Sequence, residues 1–316
     1  MPELIFHHFP ASPFSEKVRL ILGYKQLAWK SVVVPGIMPK PDVVALTGGY
    51  RRTPFLQIGA DIYCDTALIC DVLEQLQPVP ALYVEPGQAL ARILAQWADN
   101  MLFWAAVTYN RGPNGAGRNF GGALTEPAEA IFADRKAMGF DVEWLQPADA
   151  TPAYQSYLRR LSDLLQNQPY LLGHKPCIAD FCAYHPLWLV HLRAPAAVDI
   201  VQHTPALKGW LDRMHAIGHG SVEKSDAAQA ITVAADADPM PIGSGHLRDS
   251  SFQDEHGIPL GSRVTVSAES FGREPTQGEL VAATRTHYSL RRTDARAGTV
   301  HVHFPRIGYV LKRLDN

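Results

Sequence analysis

The first eighty residues carry strand and helix signals in the order β-α-β and then β-β-α, which restricts this part of the chain to an α/β sheet with helices packed on it. Leu4-Ile5-Phe6 is a short apolar run, and a Pro- and Ser-rich turn follows it. Phe14, Val18, Ile21 and Leu22 then fall on one face of a helix. Trp29 to Val34 ends in three consecutive valines, a β-branched run suited to a strand buried on both faces. Pro54 to Ile58, a turn at Gly59-Ala60-Asp61 and Ile62 to Cys64 read as a hairpin, after which Asp65 caps a helix running to about Leu76.

Pro78 and Pro80 end this unit, and the pattern changes to long helical periodicity. Leu90, Ile93, Leu94, Trp97, Met101 and Trp104 recur at helical spacing, as do Tyr157, Leu158, Leu161, Leu164 and Leu165. Between them, Asn110 to Thr151 is rich in Gly, Asn, Pro and Ala, with one short helix signal near Ile131 to Met138. Excursions of that length often serve as lids or binding loops. After about Ala228 the pattern becomes all-β, with period-two runs at Arg263 to Ser267, Leu280 to Leu290, Thr299 to Phe304 and Ile307 to Leu311. The expected organisation is an α/β domain over residues 1–80, an all-α domain over 88–222 and a small all-β barrel or sheet domain over 229–316.

Composition excludes several classes of function. Hydrophobic residues make up 47% and charged residues 19% of the 316, so the chain is packed rather than disordered. With 29 Lys and Arg against 31 Asp and Glu, the net charge of -2 gives no global field for nucleic acid or an anionic membrane. Four scattered cysteines do not form a disulfide frame, and no run of about 18 apolar residues or secretory leader is visible. A cytoplasmic protein is expected. CxxC and HExxH are absent, and the Gly-rich segment from Gly112 to Gly122 lacks the Lys-Ser/Thr ending of a phosphate loop.

Three segments carry chemistry. Ser12-Pro13-Phe14-Ser15-Glu16-Lys17-Val18-Arg19 places hydroxyls at a helix N-terminus, where free N–H groups and the helix dipole favour an anion such as a thiolate. Either serine there is equally a plain helix cap. Arg51-Arg52-Thr53-Pro54 puts a proline at the start of a strand; a cis bond there turns the preceding backbone toward an extended ligand, while a trans bond is an ordinary edge-strand proline. Asp65-Thr66 brings a carboxylate and a hydroxyl to a second helix N-terminus, a pairing that suits a zwitterion as well as a simple cap.

In this order the three segments resemble the glutathione transferase superfamily, over about residues 3 to 220. The resemblance implies a thioredoxin-like first domain and a helical-bundle second domain. Ser12-Pro13-Phe14 with Lys17-Val18-Arg19 matches the active-site loop of the serine-type classes, the tau class above all; omega-class members carry cysteine at the Ser12 position. By the same resemblance Ser12 is the catalytic hydroxyl that hydrogen-bonds the glutathione sulfur. Arg52, Thr53, the cis-proline position Pro54, Asp65 and Thr66 form the glutathione-binding set, with Asp65-Thr66 standing where the family has Glu-Ser. Gly173 to Asp180 is similar to the family's helix-capping segment, with Cys177 in place of the usual Ser or Thr.

The implied activity is attack of the glutathione thiolate on a small electrophile, with a peroxidase side activity and no cofactor beyond glutathione as co-substrate. A homodimer is implied, and neither nucleic acid nor membrane is expected as a partner. The alternative is a non-catalytic member that binds glutathione or a protein. Phe14, Met101, Trp104 and Tyr109 are candidate walls of an electrophile pocket, though aromatic and Met residues at such spacing also build cores. His7 and His8 precede the active loop and read as core or edge residues, Cys64 and Cys70 as inert thiols near the site. His301 and His303 share a strand face as two metal ligands would, but no third ligand lies near them in sequence and no metal site is assigned. Arg291-Arg292 and Arg296 make the C-terminal region locally basic.

Overall fold

The computed structural model describes residues 2–84, 87–111, 128–139, 145–191, 204–253 and 255–314. The Gly-rich segment from Gly112 to Gly122, and with it half of the expected lid, lies outside them. The first unit runs β1 (Ile5–His8), α1 (Pro13–Tyr24), β2 (Trp29–Val33), α2 (Pro41–Thr47), β3 (Phe55–Ile58), β4 (Asp61–Cys64) and α3 (Thr66–Leu76). The helical unit holds α4 (Gln88–Trp97), a π-helical turn (Ala98–Leu102), α5 (Phe103–Arg111), α6 (Ala128–Ala137), α7 (Pro147–Leu165), α8 (Ile178–His191) and α9 (Pro205–Ala216). There follow β5 (Val222–Lys224), α10 (Ala227–Ala235), β6 (Arg263–Ala268), β7 (Thr276–Ala283), β8 (His287–Asp294), β9 (Gly298–Pro305) and β10 (Tyr309–Arg313).

The C-terminal strands do not close into a barrel of their own. They continue the first sheet, which has ten strands in the order β10-β6-β7-β8-β9-β4-β3-β1-β2-β5. Strand β9 lies parallel to β4, with Asp61 opposite His301 and Tyr63 opposite His303. An edge of unpaired N–H and C=O groups on β4 is thereby covered, and β5 covers the other edge by pairing with β2. Side-chain alternation sorts the sheet into two faces. Phe6, Leu56 and Tyr63 pack with α1, α3 and the helical unit. Phe55, Ile62, Val300 and Val302 pack on the opposite side with Leu46 of α2 and Ile231 and Ala234 of α10.

Two local expectations change. The segment after Ala228 is not all-β, because the alanine-rich α10 precedes the strands and Asp226 caps it by accepting from the Gln229 N–H at 2.9 Å. Leu280 to Leu290 is not one strand: Thr284 Oγ1 accepts from the N–H groups of Thr286 and His287 at 3.2 and 3.1 Å and closes a turn between β7 and β8. A Thr-Arg-Thr turn carries no Gly or Pro to announce it.

Polar contacts fasten the extension to the first unit. Arg292 Nη1 donates to the Ala45 carbonyl at 2.5 Å and Thr276 Oγ1 to that of Thr47 at 3.0 Å, satisfying carbonyls in the last turn of α2. Arg296 pairs with Asp42 at 2.6 Å, and Arg291 with Glu279 at 2.7 Å. The locally basic stretch is thus engaged within the chain. Gly49, at φ +148°, lies so close to this region that a Cβ would stand 2.6 Å from the Pro275 carbonyl oxygen.

The capping segment before α8 works without its usual hydroxyl. Asp180 Oδ2 accepts from the Cys177 N–H at 3.0 Å, and Oδ1 accepts from the Leu171 N–H and Trp210 Nε1, both at 2.8 Å. Asp180→Asn turns an N–H toward at least one buried donor and should lower the unfolding free energy by about 2 kcal/mol. Urea unfolding followed by tryptophan fluorescence measures this, and an unchanged midpoint would show the network to be dispensable.

Candidate active site

Helix α1 begins where β1 delivers the chain to the surface of the sheet, and Pro13 at its first position leaves Ser12 as the N-cap. Ser12 Oγ accepts from the Ser15 N–H at 3.2 Å and lies 3.5 Å from the Thr53 carbonyl. Ser12 is half-buried and lines a cavity of about 1540 Å³ between the sheet, the helical unit and the C-terminal strands. Ser15 is fully buried, has no hydrogen-bond partner for its Oγ among the described residues and does not line that cavity. Of the two hydroxyls, Ser12 is the one a bound molecule can reach.

The other expected residues surround the same space. Arg52, Thr53, Pro54, Asp65 and Thr66 all line it, and the Thr53–Pro54 peptide bond is cis. Asp65 caps α3 with a backbone φ of +74°, a conformation rarely adopted by a residue with a Cβ. Its surroundings hold it there: Oδ1 accepts from the Ala67 N–H at 2.9 Å, and its own N–H donates to Tyr50 Oη at 3.1 Å. Oδ2 accepts from Tyr309 Oη at 3.0 Å, with Arg52 Nη1 at 3.9 Å. Burial beside the Asp65 carboxylate pushes both tyrosine hydroxyls well above their usual range, so each keeps its proton at neutral pH.

Tyr309 belongs to β10, so the extension completes this corner. It also fixes Arg52, whose Nε and Nη2 donate to the Phe271 carbonyl at 2.9 and 2.6 Å and whose guanidinium stacks 4.2 Å above the Phe271 ring. Sequence reading marked Arg52 and Asp65 but missed Phe271 and Tyr309, which come from a segment more than 200 positions away and match no motif.

A second cluster faces the cavity from the helical side. Asp99 sits in the π-helical turn, a wide turn frequent at functional sites, and accepts from Lys17 Nζ at 2.7 Å and from His185 Nε2 at 2.8 Å. Lys17 and His185 are fully buried. The adjacent carboxylate raises the Lys17 ammonium despite burial, while burial lowers His185 to about 4. Phe14 lies over His185 and Phe103, with ring centroids 4.6 and 4.7 Å apart. Phe14, Met101 and Trp104 line the cavity; Tyr109 packs in the core instead. The Lys17-Val18-Arg19 match made Lys17 visible in the sequence, but its pairing with Asp99 was not.

The remaining flagged side chains are structural. His7 stacks on Phe55, and His8 accepts from Arg19 Nη1 at 3.0 Å while sharing a hydrogen bond with Ser31 at 2.8 Å. Burial raises Cys64, Cys70, Cys177 and Cys182, so these thiols stay protonated.

Residues 6–87 match the glutathione S-transferase N-terminal domain family and residues 146–217 the corresponding C-terminal domain family. A GST-like protein from Pseudomonas syringae is 39% identical, with 99% of this chain and 100% of that one covered at a TM-score of 0.81. FtsZ-localized protein A of Caulobacter vibrioides is 27% identical over 186 residues, spanning 57% of this chain and 74% of that protein. A glutathione S-transferase from Methylobacterium radiotolerans, solved with glutathione sulfonate, shares the fold at a TM-score of 0.50, with 18% identity over 70% of this chain and 96% of its own. Two domain matches in sequence order, together with a relative aligned end to end through the extra strands, place this chain in the glutathione S-transferase superfamily.

Proposed function

We propose that the protein binds glutathione in the cavity, with its thiol at Ser12, and activates that thiol for attack on a small electrophile. The observation that carries this reading is the convergence of Ser12, Thr53 and Asp65-Thr66 on one space between two helix N-termini. A free thiol has a pKa near 8.5 and is only a few per cent ionised at pH 7. A hydroxyl donor and the positive end of α1 favour the thiolate, the form that attacks. The γ-glutamyl carboxylate would meet the N-terminus of α3 and Thr66, and its ammonium would meet Asp65. The Methylobacterium enzyme, which holds glutathione sulfonate on the same fold, supports the ligand class.

Ser12→Ala removes a hydrogen bond to a charged sulfur, worth about 1.5–3 kcal/mol, so kcat/KM with glutathione and an aryl halide should fall roughly tenfold to a hundredfold. Ser15→Ala should leave it unchanged. The opposite pattern would assign the wrong serine, and no glutathione binding by calorimetry would remove the reading altogether. Tyr309→Phe leaves Asp65 without one of the groups that orient it, so KM for glutathione should rise roughly fivefold with kcat little altered.

A non-catalytic binding role is the second reading. It is favoured by the relative named for localisation with FtsZ and by the prior engagement of Asp65 by Tyr309. Glutathione binding without turnover across aryl halide and peroxide substrates would select it. A cytoplasmic homodimer belongs to the proposal in either case. No helix among the described residues is long and apolar enough to cross a membrane.

A further inference from the structure

The junction between β4 and β9 holds a polar cluster on the face shared with α3 but outside the cavity. Asp61 of β4, His301 and His303 are all buried, and one potential ligand atom from each lies within 4.8 Å of the others. His303 Nε2 is 2.9 Å from Asp61 Oδ1, and His301 Nδ1 is 3.8 Å from the same oxygen. In a tetrahedral site with bonds of about 2.1 Å, neighbouring ligand atoms stand about 3.4 Å apart, between these two distances. His301 Nδ1 has no hydrogen-bond partner among the described residues, although its side chain is only 10% exposed.

The surroundings suit coordination. His303 Nδ1 is 2.7 Å from Ser289 Oγ. Without an ion, Nε2–H donates to the Asp61 carboxylate and Nδ1 accepts from the Ser289 hydroxyl; a cation would displace the Nε2 proton, and Nδ1–H would then donate to Ser289, the usual way in which an outer partner fixes a ligating imidazole. Met240 N–H, in the stretch between α10 and β6, donates to Asp61 Oδ2 at 2.9 Å, so the carboxylate is held from that stretch as well. A Ser-His-Asp nucleophile is excluded, because Ser289 is completely buried. None of Asp61, His301 and His303 lines the active-site cavity.

We propose that Asp61, His301 and His303 bind a divalent transition-metal cation of zinc type, which joins the C-terminal strands to the thioredoxin-like sheet. Two imidazoles and one carboxylate form a donor set that such ions accept. The ion neutralises a buried carboxylate and takes up the orphaned His301 nitrogen. Its role is structural, because it ties β9 to β4 where the two parts of the sheet meet.

The test uses the full chain. Protein expressed with added zinc should carry one equivalent by elemental analysis, and protein stripped with a chelator should take up one equivalent of zinc chloride against a chromophoric competitor. His301→Leu keeps most of the buried side-chain volume while removing the ring nitrogens, so it should fold, as near-ultraviolet circular dichroism will show, and bind zinc at least about tenfold more weakly. Ser289→Ala, which alters only the outer partner, should weaken binding roughly tenfold. Zinc should also raise the melting temperature of the stripped wild type, a readout independent of any variant. Equal zinc uptake by wild type and His301→Leu would mean adventitious binding at other histidines and overturn the site. Absence of any zinc-dependent rise in melting temperature would overturn the structural role.

Discussion

Lys17→Met is expected to lower the unfolding free energy by about 3–5 kcal/mol near neutral pH, the cost of leaving one member of a buried ion pair uncompensated. Lys17 has no exposed side-chain surface and its Nζ donates to Asp99 at 2.7 Å, while Met fills nearly the same volume without a charge. What remains is a carboxylate in the cavity wall whose other strong partner is His185 at 2.8 Å. In the native chain the Lys17 charge and burial both oppose a proton on His185. Without Lys17, His185 gains its proton at higher pH and forms an ion pair with Asp99. The stability gap between variant and wild type should therefore narrow as pH falls from about 7 to 5. Guanidinium unfolding across that range measures it, and a gap that stayed constant would mean that His185 does not take over as the counterion.

The wild type itself should lose stability steeply on acidification below about pH 6.5. His7 and His185 are lowered to about 4 and His8 to about 3, in each case mainly by burial. The Arg19 guanidinium donates to His8 Nδ1, which therefore must stay unprotonated. The sign follows from proton counting. Between the depressed folded values and the unfolded value near 6.5, the unfolded chain binds protons that the folded chain does not, so stability rises with pH. Each histidine contributes up to about 1.4 kcal/mol per pH unit, and three together up to about 4 kcal/mol per unit between roughly pH 6 and 5. The pH dependence of the urea midpoint checks this; a flat profile over that interval would show that the three rings are charged in the native state.

How much was legible in the sequence depended on the range of the interaction. The first unit was readable because its helices are set locally: Asp65 caps α3 and Pro13 starts α1, whereas the valine run misled on burial, since Val33 of β2 is exposed and the strand is not covered on both faces. Even the weakened cap at Cys177 was visible, and Asp180 does hold its N–H. The extension was recognised as β-rich, but the continuity of its strands with the first sheet was not. The pairing of β9 with β4 joins positions 240 residues apart, and nothing in either strand's alternation names its partner.

The candidate site divides along the same line. Ser12, Thr53, Pro54, Asp65 and Thr66 sit at element ends with motif spacing, so the chain by itself picked out residues that the fold gathers around one cavity. Only the folded molecule decided that Ser12 faces the cavity while Ser15 is buried, that Tyr309 and Phe271 hold Asp65 and Arg52, and that Asp99 pairs with Lys17. The same holds for His301 and His303, whose missing third ligand is Asp61, on the neighbouring strand in space and far away in sequence. Local caps and periodicities are written in consecutive residues, whereas the partner of a buried charge is chosen by packing, which brings together whatever the ten-stranded sheet and the helical bundle place within a few ångströms.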